Sequence, residues 1–523
     1  GTIEKKSHIN VSSPYLTIAG GTAPGGGITI SGKNSTAVTF TARTHNIIVQ
    51  GIRFRKGYNS GTPAQDGDSS NVTSVSATSG PVGPVIFDHV TVSWGQDENG
   101  EAWGSDPNAP KNITYQYAMF YEPLLAHPVN FMTGAYDSSV ADKMTDIDIH
   151  HSMLANSSHR NPMIKNRSFR FVNSLVYNWS DWALAVHGSG QVDIIGNKFK
   201  TGPLYMTEST KAYEIEATPI GNSTTATTGT MSLYVAGNVG PHNADPLADN
   251  WVMTRLIDLE SNGSAELGPL SESYRRLTPL PALLFPITAH DVATAETLVL
   301  AGAGASRRLD CAGNWVSNRD SADARIVAEY TAGNAGIVPA NEDAVGGYPT
   351  IAAGTACTDT DGDGMPDIWE TANGLNPASA ADGPTLHASG YSNLERYLAG
   401  STRTVTPSAG ANGSISPNTA QTVSSGNIAI FTVTPSAGYV AIVGGTCGGN
   451  LVGTTYTTSA ITADCTVAAT FPCKKLATPS GLSFVGLVAN PPSNATMSFD
   501  WSDVTTHADG SALTGDLANY RTY

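Results

Sequence analysis

A short strand pattern that returns six times between residues 46 and 240 constrains the fold of this chain more than any other feature. Apolar and polar residues alternate over about four positions, and a second apolar pair follows; the copies begin at Ile47, Val85, Ile113, Ile147, Phe169 and Val192. Alternation with period two predicts strands, and recurrence after 22 and 23 residues in the last three copies predicts a solenoid. Antiparallel hairpins would join neighbouring copies by two-residue Asn-Gly turns, which do not join them here. We therefore predict a parallel β-helix.

The chain changes character after Leu280. Apolar spacing and Ala and Glu content predict helices over 288–303 and 321–330 that cap or flank the solenoid, and two short helices over 368–373 and 392–399. From Thr404 the sequence is rich in Thr, Ser and Gly, and the heptapeptide Thr-Val-Thr-Pro-Ser-Ala-Gly occurs at 404–410 and again at 432–438. Such duplication is typical of small β modules. The expected fold class is predominantly β, with a solenoid followed by small β-sandwich-like modules.

The charge balance restricts the partners of the chain. Its 523 residues include 28 Lys and Arg against 44 Asp and Glu, which gives a net charge of -16. Nucleic acids and anionic membranes are polyanions that bind basic surfaces, so we expect neither as a partner. No run approaches the roughly 18 apolar residues of a membrane span, so we expect no membrane insertion. A polyanionic substrate would require a bound metal ion.

The most specific local motif is a calcium loop. Calcium takes six to eight oxygen ligands, and a 12-residue loop supplies them from positions 1, 3, 5, 7, 9 and 12, with glycine at position 6. Residues 359–370 fit this spacing with Gly364 at position 6 and with six candidate ligands, namely Asp359, Asp361, Asp363, the Met365 carbonyl, Asp367 and Glu370. A solvated acidic linker would leave the spacing unexplained. Because the motif lies between modules and offers no general base, we predict a structural calcium site.

A second set of polar residues lies within the predicted solenoid. The set comprises Asp66-Gly-Asp68, Asp88-His89, Asp97-Glu98, His150-His151 and the stretch 159–165. In a β-helix, equivalent positions of successive coils align on one face, so early carboxylates can lie beside later basic residues and bind a metal ion with an anionic sugar. Structural interpretations stay open, with Asp88 as a turn cap and Arg160 as a surface cation. Zinc is disfavoured because the adjacent His150 and His151 point to opposite faces of a strand.

Several motifs in one order make residues 1–400 resemble the pectate lyases of the bacterial polysaccharide lyase family one. The motifs are 13–25, 85–94 (Val-Ile-Phe-Asp-His-Val-Thr-Val-Ser-Trp) with Asp97-Glu98, 158–162, 321–327, and the calcium loop with 390–397. The resemblance implies a right-handed parallel β-helix over 1–345, a calcium-loop segment over 346–402, and calcium-dependent β-elimination of polygalacturonate. It also implies an export signal and first coils before Gly1.

The resemblance also implies the ligands of a catalytic calcium ion. Asp66 and Asp68 correspond to the first carboxylates of the family, and Asp97 or Glu98 corresponds to the next one. A further family ligand falls near residue 105 or 106.

The catalytic residues follow from the same resemblance. Arg160 matches the arginine of the family pattern Arg-x-Pro-x-x-Arg that is assigned as the proton-abstracting base. Lys165 stands at the second arginine, where it keeps the charge but lacks the bidentate fork. His159 and Arg167, which lie beside this pattern, are candidate substrate-binding residues. We expect alkaline conditions to favour the reaction, because an arginine base must lose its proton first.

The remaining segments and cysteines imply an exported protein. Residues 403–473 are similar to small bacterial β repeat modules, and this similarity implies a disulfide between Cys447 and Cys465. Residues 474–523 are similar to the first part of a fibronectin type III domain, which we expect to continue past Tyr523. Cys311 and Cys357 are available for a second bridge, which leaves Cys473 over. Disulfides require an oxidising compartment, so we expect a secreted or cell-surface bacterial protein.

Three functions are compatible with these features. The leading hypothesis is an exported pectate lyase that acts on polygalacturonate, pectin or a related polyuronate. The first alternative is a non-catalytic carbohydrate-binding or surface-structural β-helix. The second is a hydrolase, which would require paired carboxylates as acid and base; Asp66 and Asp68 lie on one short loop, and the sequence offers no second such pair.

Overall fold

The structure of the chain is a computed structural model. It describes all residues except 37, 61–70, 77–79, 106–108, 206–212, 220–229, 259–264, 284–285, 475–482, 491–493 and 501–523. The chain divides into two compact units, residues 1–400 and residues 401–523. Within the described residues, no helix has both the length and the apolar character needed to cross a membrane.

The first unit is a β-helix of three sheets, to which successive turns of the chain add parallel strands, and the last strand of sheet 2 pairs antiparallel with its neighbour. Sheet 1 contains β1 (Thr2–Glu4), β4 (Ile28–Ser31), β7 (Ile52–Arg55), β10 (Thr91–Ser93), β13 (Met119–Tyr121), β16 (Met153–Ser157), β19 (Leu175–Trp179) and β22 (Lys198–Lys200). Sheet 2 contains β2 (Ile9–Val11), β5 (Phe40–Ala42), β8 (Thr73–Val75), β11 (Glu98–Gly104), β14 (Val129–Ala135), β17 (Met163–Ile164), β20 (Leu184–His187), β23 (Ile215–Thr218), β25 (Thr254–Asp258) and β26 (Ala265–Pro269). Sheet 3 contains β3 (Leu16–Ala19), β6 (Ile47–Gln50), β9 (Val85–Asp88), β12 (Ile113–Gln116), β15 (Ile147–His150), β18 (Ser168–Val172), β21 (Gln191–Ile195) and β24 (Ser232–Ala236). The predicted right-handed parallel β-helix is confirmed.

The six copies found in the sequence are consecutive strands of sheet 3. Their first residues pair in one line, from Ile47 with Val85 through to Phe169 with Val192. Alternate residues of a strand face opposite sides of the sheet, and all six first residues are at most 1% exposed in the core. The period of the sequence is therefore the repeat of a single sheet.

The described part of the first unit contains five α-helices, and two of them cover the outer face of sheet 1. The helices are α1 (Ser138–Ala141), α2 (Val292–Gly302), α3 (Ser321–Ala332), α4 (Asp367–Ala372) and α5 (Asn393–Ala399), and the last four lie where the sequence predicts helices. Asp291 and Asp320 cap α2 and α3 by accepting hydrogen bonds from backbone N–H groups. Val299 and Ile326 of these helices pack with Tyr121 on the outer face of sheet 1. A short hairpin, β27 (Arg307–Leu309) and β28 (Trp315–Ser317), lies between α2 and α3.

The calcium-loop segment belongs to the first unit. Met365, Trp369 and Tyr397 form a buried cluster with Leu309, and a disulfide joins Cys311 to Cys357. The predicted boundary at residue 345 therefore separates two segments of one compact unit, and the division between units falls at residues 400 and 401.

The second unit contains two four-stranded sheets. The first holds β29 (Thr402–Ala409), β31 (Gln421–Ser424), β33 (Ile442–Gly444) and β36 (Cys465–Thr470), and the second holds β30 (Gly413–Ser416), β32 (Ile430–Pro435), β34 (Asn450–Val452) and β35 (Thr455–Thr457). Val405, Phe431 and Val467 contribute to their common core, and the predicted disulfide between Cys447 and Cys465 is present. Cys473 is an exposed free cysteine. The described part of 474–523 includes a hairpin of β37 (Ser483–Asn490) and β38 (Asn494–Asp500), and the rest of the predicted fibronectin-like segment lies largely outside the described residues.

Candidate active site

An acidic cluster lies where the chain enters β11 of sheet 2. One side-chain ligand atom each from Asp97, Glu98 and His127 lies within 4.8 Å of the others, and His127 Nδ1 hydrogen-bonds to Asp97 Oδ1. Asp97 and Glu98 are each 4% exposed. Burying two neighbouring carboxylates is costly unless a cation balances them. The cluster therefore has the donor types and the charge of a cation site.

Arg160 reaches this cluster from a later coil. It lies in the turn before β17 with a φ of 59°, and its Nη1 donates to Glu98 Oε1 at 3.0 Å. The bridge between Val129 and His159 extends the pairing of sheet 2 into this turn, so the stacking of coils brings residues 98 and 160 together. The predicted base and one predicted carboxylate ligand are thus in direct contact.

Lys165 lies on the outer face of sheet 2, immediately after β17. Ile164 pairs with Thr133, so the next position, Lys165, lies beside Gly134. A Cβ on Gly134 would lie 2.6 Å from the Lys165 Cβ. The absence of a side chain at Gly134 therefore leaves room for the Lys165 side chain. The Lys165 ammonium lies 5.9 Å from the centre of the Trp103 ring. Lys165 therefore lies on the outer face of sheet 2, close enough to Arg160 for the Arg160 charge to lower the Lys165 pKa.

The two predicted substrate-binding residues have different surroundings. His159 packs edge-on between His127 and Trp182, with ring centres 5.8 and 5.3 Å apart. It therefore belongs to the site. The Arg167 guanidinium donates to the Ser189 carbonyl at 3.2 Å, which anchors it to the next coil.

The ionisable groups of the site perturb each other. Burial raises the pKa of Glu98 well above its usual range, and the charges of Asp97 and Glu101 raise it further. Burial lowers the pKa of Lys165, and the charge of Arg160 lowers it further. Burial also lowers the pKa of His187 to about 3, with smaller contributions from the Lys165 and Arg160 charges. The site thus combines a cluster of carboxylates with the two cations Arg160 and Lys165. The carboxylates suit a divalent cation, and the two cations suit an anionic substrate.

Three residues of the site were missed by sequence reasoning. Glu101 faces outward on β11, because its neighbours Gly100 and Ala102 are buried toward the core; the strand register was the signal that could have found it. His187 is 2% exposed and pairs with Thr218 on the outward row of Lys165. His127 comes from a loop that carries no motif.

Other predicted residues lie elsewhere or outside the described residues. Asp66 and Asp68 lie outside the described residues. Asp88 and His150 end two strands of sheet 3, away from sheet 2. His151 bonds to His290 at 3.0 Å and stacks on Tyr117. The structure thus favours the structural interpretation of the Asp88-His89 and His150-His151 pairs.

The calcium loop brings five carboxylates together. Asp359, Asp361 and Asp363 form one group, and Asp363, Glu370 and Asp382 form a second group that shares a member with the first. Buried oxygens of Asp361, Asp363, Glu370 and Asp382 have no hydrogen-bond partner. Burial raises the pKa of Glu370 to about 7, and the charges of Asp363, Asp361 and Asp382 add to the effect. Buried carboxylate oxygens that accept no hydrogen bond are suited to bind a calcium ion.

Two details of the loop differ from the spacing rule. Asp367, predicted as a ligand, accepts hydrogen bonds from Thr360 N at 2.8 Å and Thr360 Oγ1 at 2.6 Å, and it is a member of neither carboxylate group. Asp382 joins the second group instead, and it lies outside the 12-residue pattern. The Met365 side chain is buried, and only its backbone carbonyl is a candidate ligand.

Comparison with known proteins places the chain among relatives along most of its length. It is 31% identical over 407 residues to a probable pectate lyase C of Neosartorya fischeri, which covers 76% of this chain and 80% of the relative. The chain belongs to the pectate lyases, a family of polysaccharide lyases. A probable pectate lyase C of Aspergillus fumigatus is 30% identical over 410 residues, with the same coverage. These relatives are fungal, and the predicted bacterial family stays a prediction. No family model matches the chain.

Solved structures were found at lower similarity. The major cedar pollen allergen Jun a 1 aligns with a TM-score of 0.38 and 13% identity, over 58% of this chain and 78% of the allergen. A pectate lyase bound to a hexasaccharide aligns with a TM-score of 0.33 and 17% identity, over 53% of this chain and 67% of that chain.

Proposed function

We propose that this pectate lyase is exported, depends on calcium and cleaves polygalacturonate or a related polyuronate by β-elimination. The observation that carries the proposal is the 3.0 Å contact between Arg160 and Glu98, with the Lys165 ammonium near enough to Arg160 to be affected by its charge. A base, a second cation and buried carboxylates are the groups that a uronate elimination requires.

The elimination assigns a separate role to each group. Arg160, once deprotonated, removes the proton α to the uronate carboxylate, and the electrons of the broken C–H bond form the new carbon–carbon double bond. The C–O bond on the neighbouring carbon breaks, and the departing glycosidic oxygen keeps the electron pair and takes up a proton from water. Negative charge develops on the carboxylate, and Lys165 stabilises it where it develops. Burial lowers the pKa of Lys165, and repulsion by the Arg160 charge lowers it further. An anionic substrate offsets the repulsion between Arg160 and Lys165, so the site should bind a uronate more tightly than a neutral sugar.

Asp97, Glu98 and Glu101 would hold the catalytic calcium ion. Bound calcium would supply further positive charge to the substrate carboxylate. Asp66 and Asp68 remain proposed ligands outside the described residues. His127 accepts or donates at Asp97 and so orients one of these carboxylates.

The assay follows the ultraviolet absorbance of the newly formed double bond during incubation with polygalacturonate. Absorbance that grows with calcium and stops with chelator supports the lyase. New reducing ends without absorbance would indicate a hydrolase. The absence of both signals would favour a carbohydrate-binding protein.

Variants of Arg160 test the base. Arg160→Ala should abolish product formation, while calcium binding at the loop of residues 359–370 persists. Arg403→Ala, in the second unit, is the matched loss of a guanidinium and should leave the rate unchanged. An active Arg160→Ala enzyme would assign the base to another residue.

We also propose that the loop carboxylates Asp359, Asp361, Asp363, Glu370 and Asp382 bind a structural calcium ion. The unpaired buried oxygens support this proposal. The two disulfides support export, because such bridges persist in oxidising compartments. We retain the assignment of 403–473 to the bacterial β repeat modules and of 474–523 to a partial fibronectin type III domain as proposals. Calcium titration calorimetry with the Glu370→Gln variant tests the loop site.

A further inference from the structure

A pair of aromatic rings, one partly buried and one largely exposed, stands beside Lys165 and has no role in the elimination itself. Trp103 lies on β11 and Tyr136 directly follows β14. The two rings meet edge to face with centres 5.1 Å apart. Tyr136 is 80% exposed, so most of its ring is open to solvent.

The register of sheet 2 places these rings next to the charged site. Trp103 pairs with Gly134, and Lys165 lies on the other side of Gly134. These three positions form one outward row, and Tyr136 is the next outward residue of its strand. Adjacent strands are only about 4.8 Å apart, so the rings lie within one or two strand spacings of Lys165.

Local contacts hold the pair in place. The Lys165 ammonium lies over the Trp103 ring at 5.9 Å, a cation–π contact that orients both side chains. Asp137 caps α1 by accepting from Ser139 N at 2.8 Å, and this cap fixes the backbone immediately after Tyr136. The pair is therefore a preorganised aromatic surface adjoining a cation.

We propose that Trp103 and Tyr136 form a sugar-stacking subsite, in which the C–H face of a uronate residue packs on the open face of Tyr136 while Lys165 binds the carboxylate of the polymer. The proposal rests on the proposed function, because it supplies the substrate class. An exposed aromatic ring offers apolar area at low entropic cost. A polyuronate residue combines one apolar ring face with one carboxylate, and the row offers a matching partner for each.

The decisive variants are Tyr136→Ala and Tyr136→Phe. Removal of the ring should raise KM for polygalacturonate about five- to tenfold with kcat changed less than twofold, and Phe should restore KM to within twofold. Because stacking is not ionic, the KM ratio between Tyr136→Ala and the parent enzyme should stay constant between low and high salt. If the Tyr136 hydroxyl instead hydrogen-bonded to the substrate, KM would rise in both variants, and this result would overturn the stacking proposal.

Tyr15 provides a matched control in the same unit. It is 78% exposed and meets the His45 ring edge to face at 5.5 Å, but it precedes a strand of sheet 3. Tyr15→Ala should leave both constants unchanged. Binding of oligogalacturonates to Arg160→Ala and to Arg160→Ala/Tyr136→Ala, measured by calorimetry, separates stacking from turnover; a loss of about five- to tenfold is expected.

The outcomes distinguish this inference from the proposed function. If the parent protein neither cleaves nor binds polygalacturonate, the proposed function fails. If the parent is active and Tyr136→Ala behaves like Tyr15→Ala, the function stands and the subsite is refuted.

Discussion

Asp323 is the centre of a buried ion network that ties α3 to the β-helix. Its Oδ1 accepts from Arg55 Nη2 at 2.9 Å and from the Tyr121 hydroxyl at 2.7 Å, and its Oδ2 accepts from Thr91 Oγ1 at 2.7 Å. Asp320 binds Arg55 as well, at 2.7 Å. Asp323 and Arg55 are both 0% exposed, so water cannot replace either partner.

Two substitutions separate charge from volume at this position. Asp323→Ala removes three accepted hydrogen bonds and leaves a buried guanidinium with one carboxylate instead of two. Breaking a buried pair by removing one partner costs about 3–5 kcal/mol, and we expect this range. Asp323→Asn keeps the shape and an acceptor oxygen, so we expect a smaller loss of about 2–3 kcal/mol.

The measurement is urea unfolding of the full chain, followed by tryptophan fluorescence and by proteolytic cleavage within α3. Asp343→Ala is the control, because the Asp343 side chain is 75% exposed and lies 3.8 Å from Lys33; such an exposed pair contributes at most about 1 kcal/mol. If Asp323→Ala lowered stability no more than Asp343→Ala, the network would not hold α3 on the sheet.

Three further predictions concern the site, a buried lysine and the calcium loop. Gly134→Ala should displace Lys165, because a Cβ there would lie 2.6 Å from the Lys165 Cβ; we expect kcat on polygalacturonate to fall at least tenfold, and an unchanged rate would contradict the role of Lys165. Burial lowers the pKa of Lys56 to about 7, so native stability should rise from pH 7 toward 10, where the unfolded chain binds more protons. Lys56→Met should reduce this slope, because only the contribution of Lys5, whose pKa burial lowers to about 8, remains. It should also stabilise the protein by about 2 kcal/mol at pH 7, reduced by the loss of the Lys56 hydrogen bond to the Ser35 carbonyl. Melting curves across this pH range test it, and a variant as pH-dependent as the parent would refute it. Asp382→Asn should weaken calcium binding at the loop about tenfold or more and shrink the rise in melting temperature with calcium; an unchanged rise would return the ligand role to Asp367.

The lysine prediction follows from the direction of the shift. A folded-state pKa below the ordinary value of about 10.4 means that the folded chain prefers the neutral amine. Below about pH 7 both states carry the proton, and the full cost of burying the charge is present. Above about pH 10 both states are neutral and the cost disappears.

The sequence alone determined the features that depend on neighbouring residues. The period-two alternation of the copies beginning at Ile47 and Val85 specifies strands, and their recurrence specifies a solenoid, because each strand must bury the same face in every coil. The helix predicted over 321–330 and the glycine at position 364 of the calcium loop were equally readable, since caps and turns act within a few residues.

Only the tertiary structure decided how distant residues meet. Glu98 and Arg160 are brought into contact by the stacking of coils, and the insertions between coils vary in length, so sequence spacing cannot give their distance. The same holds for Glu101, whose outward direction depends on the register of β11. Asp382 lies beside the calcium loop for a related reason: the fold brings a carboxylate from outside the 12-residue pattern to Asp363 and Glu370. Sequence patterns record local geometry, whereas the composition of a site depends on which separate segments the fold packs together.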